Sequence, residues 1–174
     1  MSKRGPWLQG ASLVFFLALC LGIGLLGSWV TAGSVTSWYP TLRKPSFNPP
    51  DWVFAPVWTT LYILMAIAGW RIWRHTPHAG SRLPLLLFAL QLVLNLCWSV
   101  TFFGFHSLSG AVVVIVALDM AVLATMFSFR RVDLLAVGLL VPYLLWISFA
   151  TVLTVAIWRL NQLLAADGAA VILA

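Results

Sequence analysis

The sequence predicts an all-α integral membrane protein, built as a bundle of five transmembrane helices. Of its 174 residues, 62% are hydrophobic and only 8% are charged, and the mean hydropathy is +1.01. Soluble domains contain about 45–50% apolar and about 25% charged residues, so this composition excludes an ordinary soluble globule and a disordered chain. Five apolar runs each reach the ~20 residues that one helical crossing of the hydrocarbon core requires.

Each run is predicted to be helical, because a helix satisfies all of its backbone polar groups within the lipid. The predicted spans are Trp7–Trp29, Val53–Trp73, Leu83–Gly104, Ser109–Phe129 and Leu134–Trp158. Residues 1–161 are predicted to form a single membrane domain. Residues 162–174 form a tail with no predicted role.

The basic residues are scattered one to three at a time, which is typical of orientation signals and not of a nucleic-acid surface. No nucleic-acid partner is expected. Seven of them fall on the side of the N-terminus: Lys3, Arg4, Arg71, Arg74, Arg82, Arg130 and Arg131. The opposite side has three: Arg43, Lys44 and Arg159. The positive-inside rule therefore predicts a cytoplasmic N-terminus, with a bacterial cell membrane as the assumed host.

Tryptophan is unusually frequent, with ten residues in the chain. Six lie at span ends and are predicted to form an interfacial belt: Trp7, Trp29, Trp52, Trp70, Trp73 and Trp158. The other four are Trp38 in the long first loop and Trp58, Trp98 and Trp146 inside spans. At ~1.5 Å per residue, Trp58 and Trp98 lie ~9 Å from the outer ends of their spans. These four indoles either pack together or cover the faces of a planar conjugated ligand.

Polar residues inside spans add two candidates. Gln91, Asn95 and Trp98 follow helical spacing and share one face of the third span. Such residues usually face the bundle interior or a cavity, so they either bond neighbouring helices or contact a ligand. Asp119, in the middle of the fourth span, is either a coupling acid or a structural helix-packing residue.

Aromatic stripes on spans two and five complete the candidate pocket. The predicted ligand-binding residues are Trp38, Phe54, Trp58, Tyr62, Gln91, Asn95, Trp98, Tyr143, Trp146, Ala150 and Leu153. The loop from Val30 to Trp52 contains four prolines, which reduce the entropy cost of ordering it. We therefore expect this loop to pack over the outer end of the bundle as a cap that keeps water out of the pocket. No metal site and no obligatory cofactor are expected.

Three segments resemble the TspO/MBR family, also known as tryptophan-rich sensory proteins or peripheral-type benzodiazepine receptors. They are WYPTLRKPSFNPPDWVFAPVWTTLYILM from Trp38, QLVLNLCWSVTFFG from Gln91 and PYLLWISFATVLTVAIWRLN from Pro142. The resemblance implies a five-helix bundle, usually a homodimer, with a pocket capped by the first loop. It also implies binding of tetrapyrroles such as protoporphyrin IX and haem, linked to tetrapyrrole or stress signalling and transport.

By position, the resemblance makes Trp58, Trp146 and Asn95 pocket residues, Ala150 the small residue beside them and Trp38 part of the cap. The chain departs from many members at Thr154, where they have asparagine. It also lacks a basic residue within about five positions after Tyr143, which a sterol motif in the fifth helix would need. Two small-residue pairs, Gly24 with Ser28 and Ala117 with Ala121, permit close helix approach in a dimer.

Three functions remain open from the sequence. The first is a receptor or carrier that stacks a porphyrin near Trp58 and Trp146, with its propionates toward Arg43 and Lys44. The second is an enzyme-like, light-dependent degradation of bound porphyrin, in which Trp58 and Trp146 would be catalytic. The third is a proton-coupled small-molecule exporter that uses Asp119. No nucleophile–base pair or nucleotide-binding loop supports a different enzyme class.

Overall fold

The computed structural model describes residues 5–76 and 82–172. In this part of the chain, five long helices are each long and apolar enough to cross a membrane. They are α1 (Pro6–Ser37), α2 (Phe54–His75), α3 (Leu83–Ser99), α4 (Leu108–Phe129) and α5 (Leu134–Ile172). A π-helical turn, Val100–Gly104, continues α3, and two short 3-10 turns, Tyr39–Thr41 and Asp51–Val53, lie between α1 and α2. The predicted five-helix membrane fold is confirmed.

The five helices form a closed ring. α1 packs against α2, α2 against α5, α5 against α4, α4 against α3, and α3 returns to α1. Each helix therefore has an inner face, and the buried residues Cys20, Met65, Leu92, Leu118 and Leu140 come from all five helices. Since lipid tails are as apolar as these side chains, close packing and polar contacts across helices must stabilise the bundle.

The first helix is longer than predicted. α1 continues from the expected end at Trp29 to Ser37, so the connection to α2, residues 38–53, is shorter than the predicted loop. Three hydroxyl side chains in this extension bond carbonyls three or four residues earlier, which reduces the cost of polar groups near the membrane surface: Thr31 to Ser28, and Thr36 and Ser37 to Gly33. The α-helix ends at Ser37, and the chain continues into the 3-10 turn Tyr39–Thr41, which contains Pro40.

The fifth helix also passes its predicted end. The membrane-spanning part of α5 extends from Leu134 to Gln162, and the helical backbone continues to Ile172. Its 39 residues measure about 58 Å at 1.5 Å per residue, which is longer than a hydrocarbon core of about 30 Å. The tail, which had no predicted role, is thus largely an extension of α5.

An ion pair joins the end of α2 to the turn between α4 and α5. Arg71 Nε lies 2.7 Å from Asp133 Oδ2, and His75 Nδ1 lies 3.3 Å from the same oxygen. The other carboxylate oxygen accepts a bond from the Leu135 amide at 2.9 Å, so Asp133 also stabilises the start of α5. His75 is the last residue of α2, whereas His78, Lys3 and Arg4 lie outside the described residues.

Desolvation acts to raise the pKa of Asp133. The hydrogen bonds from Arg71 and the Leu135 amide, together with the charge of Arg71, outweigh this effect and hold the pKa below its usual value. A lowered folded-state pKa stabilises the protein above the unfolded pKa of about 3.9, and this stabilisation is lost as the pH falls through and below that value.

We predict that the thermal unfolding midpoint of the wild type decreases as the pH is lowered from 5 to 3. Asp133→Asn should have a lower midpoint than the wild type at pH 7, and its midpoint should change less between pH 5 and pH 3. Loss of the cap and of the ion pair should cost about 1–3 kcal/mol. The control is Asp51→Asn, since Asp51 is an exposed acid in the first loop. Differential scanning fluorimetry in nanodiscs gives the midpoints. An Asp133→Asn protein with the pH profile of the wild type would contradict the prediction.

Candidate functional site

A buried hydrogen-bond network joins three helices near the middle of the bundle. Tyr62 on α2 donates its phenolic hydrogen to Asn95 Oδ1 on α3 at 2.6 Å. Asn95 Nδ2 in turn donates to the Tyr143 hydroxyl on α5 at 3.2 Å. Asn95 is only 2% exposed, so the third span turns its polar face to the interior, as its spacing predicted.

The neighbouring polar residue on that face behaves differently. Gln91 is 1% exposed and lies one helical turn from Asn95. Among the described residues, neither its side-chain oxygen nor its side-chain nitrogen has a hydrogen-bond partner. On the inner face of α3, the Asn95 amide is therefore hydrogen-bonded and the Gln91 amide is not.

The inner aromatic cluster consists of Trp58, Tyr62 and Tyr143. The Trp58 ring stacks on Tyr62 with centroids 5.6 Å apart and meets the edge of Tyr143 at 6.3 Å. Trp58 is half-buried, so part of its ring surface is not covered by the protein. The hydrogen-bond network thus also fixes the ring on which Trp58 rests.

Trp146 belongs to a separate row of rings along α5. It meets the edge of Phe54 at 5.9 Å and lies 5.7 Å from Phe149, which contacts Phe47 of the first loop at 6.3 Å. Trp146 also lines a groove of about 550 Å³ between α2 and α5, whose exposed residues include Pro56 and Leu145. Its indole nitrogen is buried and has no partner among the described residues.

The outer aromatic cluster consists of Trp38, Tyr39, Trp98, Phe102 and Phe103. Trp98 stacks on Phe102 at 5.5 Å, and Trp38 meets the edge of the same ring at 5.6 Å. Leu153, another predicted pocket residue, is buried in this cluster. No ring contact in the described part of the chain links this cluster to Trp58 or Trp146. The four interior tryptophans are thus not in one mutual ring cluster as the sequence suggested, although Phe149 packs against both the outer aromatic cluster and Trp146.

The loop begins with a contact that the sequence did not predict. Trp38 stacks on His106 with centroids 4.2 Å apart and the rings 21° from parallel. Ser34 Oγ lies 3.0 Å from His106 Nε2 and donates a 2.7 Å bond to the Phe103 carbonyl. His106 has φ +52°, a left-handed conformation that histidine adopts more readily than most residues, and this conformation turns the chain after α3.

The middle of the loop is attached to α5 near the end of its membrane-spanning part. Asn161 accepts from the Arg43 amide at 3.1 Å and donates to the Arg43 carbonyl at 3.0 Å. Tyr39 donates to Asn48 Oδ1 at 2.8 Å, and the Lys44 ammonium lies 4.6 Å from the centre of the Tyr39 ring. The loop is thus held by Asn161 of α5 and by side-chain contacts within the loop itself.

Asp119 is held between α4 and α5. Its carboxylate accepts bonds from Thr151 Oγ1 at 2.6 Å and from Ser148 Oγ at 3.3 Å. Among the alternatives that the sequence left open, this geometry is the one expected of a helix-packing acid.

The tryptophans at the span ends differ in their environment. Trp7 and Trp52 are 78% and 75% exposed, as a membrane-interface belt requires. Trp29 is also exposed, but it lies eight residues before the end of α1 and not at the predicted span end. Trp70 instead donates to the Gln9 carbonyl at 3.0 Å, and Trp73 packs on the core. The buried indole nitrogen of the half-buried Trp158 has no partner among the described residues.

The sequence model of the TspO/MBR family matches residues 16–159, which is most of the chain. The chain belongs to the TspO/MBR family. The tryptophan-rich protein TspO of Chlorobaculum tepidum is 44% identical over 88% of this chain and 98% of its own length. The tryptophan-rich sensory protein of Cereibacter sphaeroides is 38% identical over 87% of this chain and 92% of its own length. The translocator protein of Homo sapiens is 37% identical over 90% of this chain and 92% of its own length.

Within this TspO/MBR bundle, the lack of a side chain at Gly24 on α1 leaves room for the Tyr62 ring on α2. A Cβ atom added at Gly24 would lie 2.6 Å from Cε2 of the Tyr62 ring. That ring cannot move freely, since it stacks on Trp58 and donates to Asn95. Gly24 therefore packs inside its own chain, and the pairing of Gly24 with Ser28 gains no support as a dimer contact.

We predict that Gly24→Ala destabilises the protein by about 1–3 kcal/mol, because the new methyl group overpacks the Tyr62 ring. Gly22→Ala is the matched control, since nothing lies within 4 Å of a Cβ atom at Gly22. It should be neutral or stabilising by up to about 1 kcal/mol, because alanine favours helices over glycine. Thermal midpoints in nanodiscs test both variants. Equal midpoints for the two would show that Tyr62 is not confined as described.

We predict that Asn161→Ala releases the middle of the loop without unfolding the bundle. The Arg43 amide should then exchange its hydrogen roughly tenfold faster, because its only bond in the described residues is to Asn161. Hydrogen–deuterium exchange over residues 41–48 measures this change. Gln162→Ala is the control, as Gln162 is exposed on the next position of α5. Unchanged exchange in Asn161→Ala would contradict the role of this contact.

Proposed function

We propose that this protein is a membrane receptor or carrier for tetrapyrroles, such as protoporphyrin IX and haem, and for similar flat hydrophobic ligands. The observation that carries the proposal is the inner aromatic cluster. Its Trp58 ring is half-buried and stacks on Tyr62, whose hydroxyl group is hydrogen-bonded to Asn95 inside the closed ring of helices. Large aromatic faces of this kind suit a planar conjugated ligand, and the polar centre supplies orientation.

The rings that would contact a ligand come from two neighbouring helices. Trp58 on α2 and Trp146 on α5 are both half-buried, so each keeps ring surface available for stacking. Half-buried Ala150 lies one helical turn beyond Trp146 and, having a small side chain, leaves room beside that ring. α2 and α5 are neighbours in the bundle, and the groove that Trp146 lines lies between them.

Charges near the loop suit the carboxylates of a porphyrin. Arg43 is exposed and is held in the loop by its backbone bonds to Asn161, which leaves its guanidinium free to pair with an anion. The Lys44 ammonium lies over the Tyr39 ring and is therefore less available to pair with an anion. We expect the propionates to lie at the outer rim beside Arg43, since an ionised carboxylate is too costly to bury in the bundle.

The same proposal includes the orientation and assembly. Five described arginines on the side of the N-terminus favour a cytoplasmic N-terminus in a bacterial cell membrane: Arg71, Arg74, Arg82, Arg130 and Arg131. Of the predicted pair on α4, Ala121 is buried within the chain, whereas Ala117 is exposed and small enough for the close approach of a second copy in a homodimer.

We predict that protoporphyrin IX binds the purified protein saturably, and that replacing both Trp58 and Trp146 by phenylalanine weakens binding about tenfold or more. Phenylalanine keeps an aromatic ring but offers less stacking area and no indole N–H. The shift of the porphyrin absorbance band on titration measures affinity independently of tryptophan fluorescence.

The matched control replaces Trp7 and Trp29 by phenylalanine, because both residues are highly exposed on α1. This variant should bind as the wild type does. Equal titration curves for all three proteins would overturn the assignment of the ligand to Trp58 and Trp146. The absence of saturable binding to the wild type would overturn the proposed function itself.

A further inference from the structure

A groove of about 440 Å³ lies between α1 and α3, away from the residues assigned to tetrapyrrole binding. Its floor consists of the buried rings of Phe16 and Phe88, whose centroids are 6.1 Å apart. A Cβ atom added at Gly69 on α2 would lie 2.9 Å from the Phe88 ring and 3.0 Å from the Phe16 ring. The two rings therefore rest against α2 and close the groove toward the interior. Phe15 and Ala89 are exposed at its rim, so the groove is open toward the lipid.

The groove lies at the depth of the acyl chains of one leaflet. The residues of α1 that line it extend from Ser12 to Leu19, which is ~10 Å along the helix. They all belong to the first half of α1, which begins at Pro6. Most of the other lining side chains are aromatic or aliphatic. A hydrocarbon chain that runs along the helices from the nearer membrane surface would match this position and this lining.

One arginine stands at the end of the groove on α3. Arg82 immediately precedes α3 and is exposed, and its carbonyl accepts a bond from the Leu86 amide at 3.0 Å in the first turn. Leu85 and Ala89, which line the groove, follow Arg82 by three and seven residues and therefore share its helical face. The Arg82 side chain thus continues the α3 wall of the groove toward the membrane surface.

A second arginine reaches the same end from α2. The guanidinium of Arg74 lies 4.7 Å from the centre of the Trp70 ring. Trp70 donates its indole N–H to the Gln9 carbonyl at 3.0 Å, and Ser12 of the groove donates its hydroxyl to the same oxygen at 2.9 Å. Arg74 is therefore placed beside the end of the groove at which Ser12 lies.

Both arginines have their charge available. Within residues 5–76 and 82–172, neither Arg74 nor Arg82 forms an ion pair, whereas Arg71 is paired with Asp133. A guanidinium binds a phosphate through two parallel hydrogen bonds, and basic sites beside membrane helices bind anionic lipid headgroups. An apolar groove that ends at two such groups has the complementary features of an anionic phospholipid.

The same charges argue against a second copy of the chain as the occupant. A homodimer in a membrane has a two-fold axis along the membrane normal. If the groove packed on its own copy, Arg74 and Arg82 of both chains would meet at one depth, and like charges at short distance repel each other. A phospholipid of negative charge meets no such repulsion.

We propose that the groove between α1 and α3 binds one anionic phospholipid, such as phosphatidylglycerol. One acyl chain lies on Phe16 and Phe88, and the phosphate pairs with Arg74 and Arg82. This site is independent of the proposed tetrapyrrole site, because the two share no residue.

The test compares phosphatidylglycerol with phosphatidylcholine that has the same acyl chains. Both lipids contain a phosphate, but the choline group cancels its charge. Each is titrated into the delipidated full chain in detergent, and native mass spectrometry counts the lipids bound per chain. We expect one phosphatidylglycerol to bind the wild type about tenfold or more tightly than phosphatidylcholine does. Equal affinities in the wild type would overturn the proposal.

Arg74→Gln combined with Arg82→Gln should abolish this preference, because glutamine keeps hydrogen-bond donors but has no charge. The matched control combines Arg130→Gln with Arg131→Gln, which removes the same charge from the turn between α4 and α5. The control should keep the preference of the wild type. An equal loss in both double variants would show that the lipid responds only to net charge, and an unchanged preference in the first would show that its arginines do not bind the phosphate. Either result overturns the proposal.

Ala89→Phe tests the groove itself, because a ring at this exposed rim position would fill it. Ala124→Phe, the control, makes the same change at an exposed position of α4 outside the groove. Ala89→Phe should bind phosphatidylglycerol about tenfold or more weakly than the control does. Equal binding by both variants would place the lipid elsewhere. A lipid-free dimer that Ala89→Phe converts to a monomer would show that a second copy fills the groove, and it would overturn the proposal as well.

Discussion

The hydrogen bonds among Tyr62, Asn95 and Tyr143 are the constraint on which the rest of the bundle depends. Inside a membrane, no water replaces a lost partner, so helices that carry these groups must meet in one register. The same bonds set the position of the Tyr62 ring, on which Trp58 stacks, and Gly24 leaves α1 close enough to confine that ring. A polar contact thus determines the geometry of an aromatic surface.

The helices were predictable because an apolar run of sufficient length has few alternatives in lipid. Their ends were less predictable. α1 ends at Ser37, eight residues after its predicted end at Trp29. Hydroxyl groups in this extension bond within their own helix, and the hydropathy pattern does not show such local bonds. Likewise, helical spacing placed Gln91 and Asn95 on one inner face, but it does not show that only Asn95 finds partners there.

Contacts between distant segments were not predictable at all. Ser34 and His106 are 72 residues apart in sequence, and nothing in either segment indicates that they meet or that Trp38 stacks on the histidine. The sequence therefore placed Trp38 with Trp58, Trp98 and Trp146 by depth alone. Depth gives the layer of a residue within the bundle, whereas ring contacts depend on helix rotation and on the path of the loop, which require coordinates.

The attachments of the loop differ in strength. Its first residues are held by buried rings, with Tyr39 packed on Phe102 and Phe103. Farther along, an exposed pair of bonds joins Arg43 to Asn161, and the exposed Phe47 meets the edge of Phe149. Exposed hydrogen bonds compete with water and contribute little net stability, while buried aromatic contacts do not face that competition. Opening should therefore begin at Arg43 and leave Trp38 in place, which would admit a ligand beside α5 and Trp146 before the outer aromatic cluster is disturbed.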